Sequence, residues 1–164
     1  MTDKNNRFPK TRKEQSEMDQ RIVDIARVTR VMAGGKRMRF RACVVVGDKK
    51  GKIGFGLAKG HDVPLAVQKA AKKAEKNAIR INLVYGTIPH EIFLKDGSAR
   101  ILLKPAPAGT GIISGGAVRT VLELAGVENA VSKILGTNNK VNNVRATIKA
   151  LGLLKKRPKK EKID

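Results

Sequence analysis

Phosphate chemistry would be sought first at Gly47 to Gly60, GDKKGKIGFGLAKG, which holds five glycines and four lysines in fourteen residues. A dinucleotide cradle needs G-x-G-x-x-G between a strand and a helix, so that the backbone can approach a pyrophosphate at the helix N-terminus. Gly54, Gly56 and Gly60 are spaced G-x-G-x-x-x-G, and the segment KKAEKNAIRIN that follows offers no suitably placed ribose-binding acid. The stretch therefore reads as a strand and a turn with lysines at the rim.

The second candidate is Pro107 to Gly116, PAGTGIISGG. Galactokinase-type small-molecule kinases present an anion to glycines ahead of a helix through a P-x-x-x-G-x-G-S-S loop. Here Ile112 and Ile113 stand between Gly111 and Ser114 and displace the serine. The carboxylates Glu91, Asp96, Glu123 and Glu128 are scattered one per element, whereas catalysis needs groups that converge. A tight loop packing against RNA or a protein neighbour is expected, with no enzyme activity and no cofactor.

Charge directs the search elsewhere. Lys and Arg number 35 against 14 Asp and Glu, a formal +21 on 164 residues, and self-repulsion of that size disfavours a compact chain without a polyanionic partner. No apolar run approaches the roughly 18 to 20 residues that span a bilayer, and the segment MTDKNNRFPKTRKEQSEMDQ lacks the apolar core of a secretory signal. A cytoplasmic nucleic-acid binder is expected. Cys43 is the single cysteine and reads as a packed strand residue, and His61 and His90 lack metal-ligand spacing.

The elements that must position these cations follow from the residue pattern. Arg21 to Met32 is rich in β-branched residues, AGGK interrupts, and RMRFRACVVVG resumes with alternation, which predicts a hairpin. In the second strand Met38, Phe40, Ala42, Val44 and Val46 share a face expected to be core, and Arg37, Arg39 and Arg41 project from the other. DKKG is a turn. A third strand, Lys52 to Ala58, points Ile53, Phe55 and Leu57 inward and leaves Gly54 and Gly56 bare for an RNA backbone or a neighbouring segment.

A helix follows, with Asp62 as N-cap and Pro64 in its first turn. Its apolar stripe is Val63, Val67, Ala70, Ala71, Ala74 and Ala78, and Lys69, Lys72, Lys73, Lys76 and Arg80 form a basic one. Further on, Asp96-Gly97 is a hairpin turn between Thr87 to Lys95 and Ser98 to Lys104. A helix from about Ala117 to Ala125 ends at Gly126; a strand, Val127 to Leu135, and an asparagine-capped helix from Asn142 or Asn143 to Leu154 complete the chain.

The fold class is thus α+β. A three-stranded antiparallel sheet plus helix is followed by a hairpin, a helix, a strand and a helix, and the about 130 residues concerned could form one domain or two small ones; basic tails at 1–20 and 155–164 are expected to be disordered when free. With no Trp, one Tyr and four Phe, stacking on single strands is disfavoured and phosphate contact with duplex RNA preferred.

RVTRVMAGGKRMRFRACVVVGDKKGKIGFGLAKGHDVPLAV, PAGTGIISGGAVRTVLELAGVENAVSKILG and NNVRATIKAL together resemble the bacterial family of the fifth protein of the small ribosomal subunit, over about Arg21 to Leu154. The resemblance implies an N-terminal domain, residues 21–83, with a fold like double-stranded RNA-binding domains, and a second α/β sandwich-like domain with a βαβ unit, residues 84–154, that shares the kinase fold without its catalysis. It also implies binding to small-subunit ribosomal RNA, contact with the fourth and eighth proteins of that subunit, and a lining role where mRNA enters, with influence on decoding accuracy. No membrane or small-molecule substrate belongs to that picture. Val28 to Lys36 matches a hairpin loop that reaches rRNA near the spectinomycin site, and Arg119 a helix position near the fourth protein.

The expected rRNA-binding residues are Arg27, Arg30, Gly34, Gly35, Lys36, Arg37, Arg39, Arg41, Lys49, Lys50, Lys52 and Lys59. Gly109, Gly111, Arg119 and Arg145 are expected at a protein interface. A free RNA chaperone or translational regulator is the alternative, and a small-molecule kinase a distant one.

Overall fold

The β-branched run after Arg21 favours extended backbone, since branching at Cβ restricts χ1 and suits a pleated surface. In the computed structural model, which describes residues 18–155, Asp19–Met32 forms β1 and pairs antiparallel with β2, Gly35–Gly47, across the two-residue turn Ala33-Gly34. β1 therefore begins inside the segment expected as an N-terminal tail; the remainder of that segment, and the C-terminal tail beyond Lys155, lie outside the described residues. β3, Lys52–Gly60, continues the sheet, and β4, Ile79–Arg80, adds a short fourth strand, giving the order β1-β2-β3-β4.

Between β3 and β4 runs α1, Val63–Lys76. Asp62 occupies its N-cap with extended backbone, but its carboxylate makes no capping bond, and Pro64 lies in the first turn as expected. Because the helix stops at Lys76, Arg80 does not continue the lysine stripe; it sits on β4 opposite Lys52.

The second half contributes β5, Ile92–Asp96; β6, Ala99–Pro105; β7, Ile112–Ile113; α2, Gly116–Ala125; β8, Ala130–Ile134; and α3, Lys140–Gly152. The sheet order is β5-β6-β8-β7, and β7 runs parallel to β8, so β7-α2-β8 is the βαβ unit. The hairpin turn falls one residue later than predicted, on Gly97-Ser98, because Asp96 still pairs with Ala99 and Gly97 takes the positive φ of +60°. α3 starts at Lys140, earlier than expected. The side chain of Asn139 caps it by accepting from the amides of Val141 at 3.1 Å and Asn142 at 3.5 Å.

Helices cover both faces of the first sheet, and this corrects the division of β2 into a core face and a cationic face. Ala42 to Val46 are all buried. Ala42, Val44 and Val46 pack against the alanines of α1, while Val45, with Ile53 of β3, joins a core that contains Leu122, Leu124, Val144 and Leu151 from α2 and α3. Only the outer part of β2 is cationic, and there Met38, expected in the core, is 57% exposed because no helix reaches that far.

The bare face of β3 is occupied by α1. A Cβ on Gly56 would overlap the carbonyl oxygen of Ala70, one on Gly54 that of Ala74, and one on Gly60 would lie 2.7 Å from the amide nitrogen of Ala66. Glycine on the strand and alanine on the helix together let two backbones approach closely, so the neighbouring segment, rather than RNA, takes this surface. Cys43 is buried on β2, and burial above all pushes its thiol up to about 11, so it stays unreactive in the folded protein.

Gly56→Ala should force α1 off the sheet and lower the stability by about 1 to 3 kcal/mol, the usual cost of overpacking a filled core. Urea denaturation of the two proteins would read this as a lower midpoint at unchanged slope; an unchanged midpoint would contradict the close approach.

Candidate RNA interface

The turn after β2 offers no amide to a phosphate. The Asp48 amide donates to the Lys52 carbonyl at 3.1 Å, that of Lys49 to Leu124 at 3.0 Å, and that of Gly51 to Ala125 at 3.1 Å. The carboxylate of Asp48 accepts from the amides of Lys50 at 2.7 Å and Lys52 at 2.8 Å. Leu124 and Ala125 end α2, whose last carbonyls have no partner within the helix. The turn therefore caps a helix C-terminus, the negative pole of that dipole. Lys49 sits beside it with φ +55° and pairs with Asp19, whose carboxyl it holds below the ordinary value by hydrogen bonding and charge.

The loop before α2 is likewise engaged internally. The Gly111 amide donates to Asn129 Oδ1 at 3.0 Å, its carbonyl accepts from Ala130, and Ile112 and Ile113 lie against β8. Gly109 and Gly111 adopt φ of +89° and +71° with no neighbour where a Cβ would stand. Arg119 is exposed on α2 and donates to the Ile112 carbonyl at 3.1 Å, tying helix to loop. Of the scattered carboxylates, Glu91 pairs with Lys104 and Glu123 with Arg21, whereas Glu128 meets no cation among the described residues and lies against Gly86; Asp24 pairs with Arg41 and Lys140.

Arg145, expected at an interface, bonds through Nε to Asp96 at 2.8 Å, and Lys149 joins the same carboxylate at 2.6 Å. These bonds, that of Lys149 first, keep the Asp96 carboxyl below its usual range against some desolvation. Arg145 thus fastens the β5-β6 hairpin to α3, although part of its side chain stays exposed.

Lys95, Arg100 and Lys133 are exposed on the second sheet, and a larger set of cations lies on the first. β3 ends opposite Phe40, so Val28 to Met32 and Gly35 to Arg39 project past it as a two-stranded ribbon. Arg30, Lys36, Arg37 and Arg39 are exposed there, as are Gly34 and Gly35 and, at its base opposite Phe40, Arg27, and among the described residues none of these five cations meets an acidic partner. At the tip, Gly35 has φ +134° and open space around it. Arg41 is different: it is half-buried and lies 3.5 Å from Asp24.

Register makes the charge arrangement costly. Arg30 stands opposite Arg37, Lys52 opposite Arg80, and, on the second sheet, Lys95 opposite Arg100; Arg41 stands opposite Lys59 but has Asp24 beside it. Residues paired across strands share a face with Cβ atoms about 5 Å apart, where like charges repel. Lys50 and Arg80, with Ile81, Asn82 and Leu83, also line a cleft of about 540 Å³ that includes no acid. Lys59 and the α1 residues Lys69, Lys72, Lys73 and Lys76 are exposed too.

Of the expected rRNA-binding residues, the structure brings Arg30, Lys36, Arg37 and Arg39 together on the ribbon and Lys50 and Lys52 beside Arg80, while Lys49 and Arg41 are drawn into ion pairs. Reading residues locally missed the Lys52–Arg80 opposition, because β4 is two residues long and carries no strand pattern of its own.

Residues 18–82 match the family model described as ribosomal protein S5, N-terminal domain, and residues 94–162 match that for ribosomal protein S5, C-terminal domain. Those two matches cover the first sheet with α1 and, from β5 onward, the second sheet with α2 and α3. A ribosomal RNA partner also accounts for like charges held face to face. The chain belongs to the ribosomal protein S5 family, non-enzymatic structural components of the small ribosomal subunit that bind ribosomal RNA and neighbouring ribosomal proteins.

Proposed function

We propose that the ribbon cations Arg27, Arg30, Lys36, Arg37 and Arg39, together with Lys50, Lys52 and Lys59, contact ribosomal RNA phosphates, and that this anchoring supports assembly of the small subunit. The observation that carries the reading is the two pairs of opposed cations on the first sheet that meet no acid, Arg30 with Arg37 and Lys52 with Arg80. Each pair destabilises the free sheet and gains from an anion placed between its members. Lys49 contributes through its backbone to the joint with α2 and only secondarily through charge.

The second half supplies the protein contacts. The exposed Gly109 and the half-buried Gly111, with Arg119 on the helix behind them, form the surface for the fourth protein of the subunit, and the exposed part of Arg145 extends it. The eighth protein is a second neighbour. A chain held in this way lines the path by which mRNA enters and influences decoding accuracy, and it works in the cytoplasm as part of the ribosome.

Replacing Arg30, Arg37 and Arg39 with Gln should flatten the salt dependence of rRNA binding by about 0.7 to 0.9 log units for each phosphate that is no longer neutralised. The same change should stabilise the free protein at low salt, by roughly 0.2 to 1 kcal/mol for the Arg30–Arg37 pair. Filter binding across a salt series, paired with thermal melts, reads both; an unchanged slope removes these arginines from the interface.

Gly35→Val demands a φ near +134° that a β-branched residue does not adopt, yet its side chain would meet nothing. The variant should fold with nearly the wild-type melting temperature and enter small subunits poorly, as measured by sedimentation of reconstituted particles. Normal incorporation would contradict a role for the tip.

A further inference from the structure

Tyr85 is the one tyrosine of a chain without tryptophan, and it is 99% exposed. It stands in a two-residue turn closed by Val84 and Thr87, whose amides and carbonyls exchange bonds of 2.9 and 3.0 Å. Both central residues have positive φ, +49° at Tyr85 and +72° at Gly86. Turns of this form favour Asn-Gly, Asp-Gly or Gly-Gly, because a bulky L residue in the left-handed region crowds its own backbone. The chain thus holds an aromatic ring in water and in a strained conformation, with no packing of its own in return. Strain of this kind points to a function outside the chain.

The turn is also rigid. The Gly86 carbonyl accepts from the amides of Glu128 at 2.8 Å and Asn129 at 3.1 Å, and Thr87 Oγ1 donates to the Asn129 carbonyl at 2.6 Å. The ring therefore projects from a fixed base, so binding to it would order little besides its own side chain. Two residues earlier Leu83 lines the cleft together with Arg80 and Lys50, while the Glu128 carboxylate lies against Gly86 of the turn. A lone, rigid, exposed ring following a cationic cleft is the arrangement that receives a single unpaired base whose phosphates are held nearby.

We propose that Tyr85 stacks on one unpaired base of the small-subunit ribosomal RNA, an interaction that rests on the rRNA-binding reading and adds to it a site for a nucleobase. Stacking releases no counterion, so its signature differs from that of the lysines and arginines.

The test compares wild-type, Tyr85→Asn and Tyr85→Phe full-length chains with purified small-subunit rRNA. Tyr85→Asn should relax the turn and raise the melting temperature by about 2 °C, yet weaken rRNA binding by about tenfold at an unchanged salt slope. Tyr85→Phe should bind like the wild type. Nitration by tetranitromethane, read by mass spectrometry on this single tyrosine, should be suppressed in the complex with rRNA alone. Equal binding by Tyr85→Asn, or a ring that stays reactive in that complex, overturns the proposal. Protection that appears only when other small-subunit proteins are added assigns the ring to a protein and overturns it as well. Failure of the wild-type chain to bind rRNA at all would instead defeat the reading beneath it, which the wild-type affinity measures separately.

Discussion

The structure depends on one joint, the docking of the turn between β2 and β3 onto the carboxyl end of α2. Two backbone amides, of Lys49 and Gly51, satisfy two carbonyls, of Leu124 and Ala125, that the helix itself cannot satisfy. Glycine is required on both sides of the joint. A Cβ on Gly47 would overlap the Leu124 carbonyl, and one on Gly126, which ends α2 with φ +83°, would overlap that of Lys49. Because of this joint the outer face of the first sheet becomes interior, and Val45 and Ile53 share a core with α2 and α3.

That arrangement separates two tasks that sequence composition mixes together. Glycines of the lysine-rich stretch bring backbones close, Gly54, Gly56 and Gly60 to α1 and Gly47 to α2. Lysines and arginines of the same region point outward, and several stand opposite one another across strands. Internal acids neutralise only a few of the cations, at Asp24, Asp96 and Glu123 for example, where the ion pairs fasten elements together. The unpaired surplus is spread over the surface of the described residues, on the ribbon, α1, the β3-β4 edge and the second sheet, and on the ribbon it stands where the strands leave the core. Repulsion within the free protein and affinity for a polyanion are in this sense the same property.

Much of this was legible in the residues. The β-branched run of β1, the alternation of β2, Pro64 after Asp62, and Gly126 after an apolar helix each act locally, and each element lies within a few residues of its expected place. The family resemblance followed from long strings around these elements and agrees with the family matches. What local pattern did not carry was which faces become buried. Met38 lies on the face of β2 that α1 packs against but past the reach of that helix and is exposed, whereas Val45 lies on the opposite face, which α2 and α3 cover. The capture of Arg41 by Asp24, of Arg145 by Asp96, and the opposition of Lys52 and Arg80 all arise from register between distant segments. Tyr85 gave no signal, since its significance lies in a backbone angle.

The joint can be tested by native-state hydrogen exchange on the free protein and on Gly126→Ala, which places a methyl group against the Lys49 carbonyl and strains the end of α2. If the two halves form one cooperative unit, the most protected amides of β2 and of α2 should lose protection together and by the same free energy. Loosening of α2 alone, with β2 protected as in the wild type, would show that the sheets stand independently and would contradict the account.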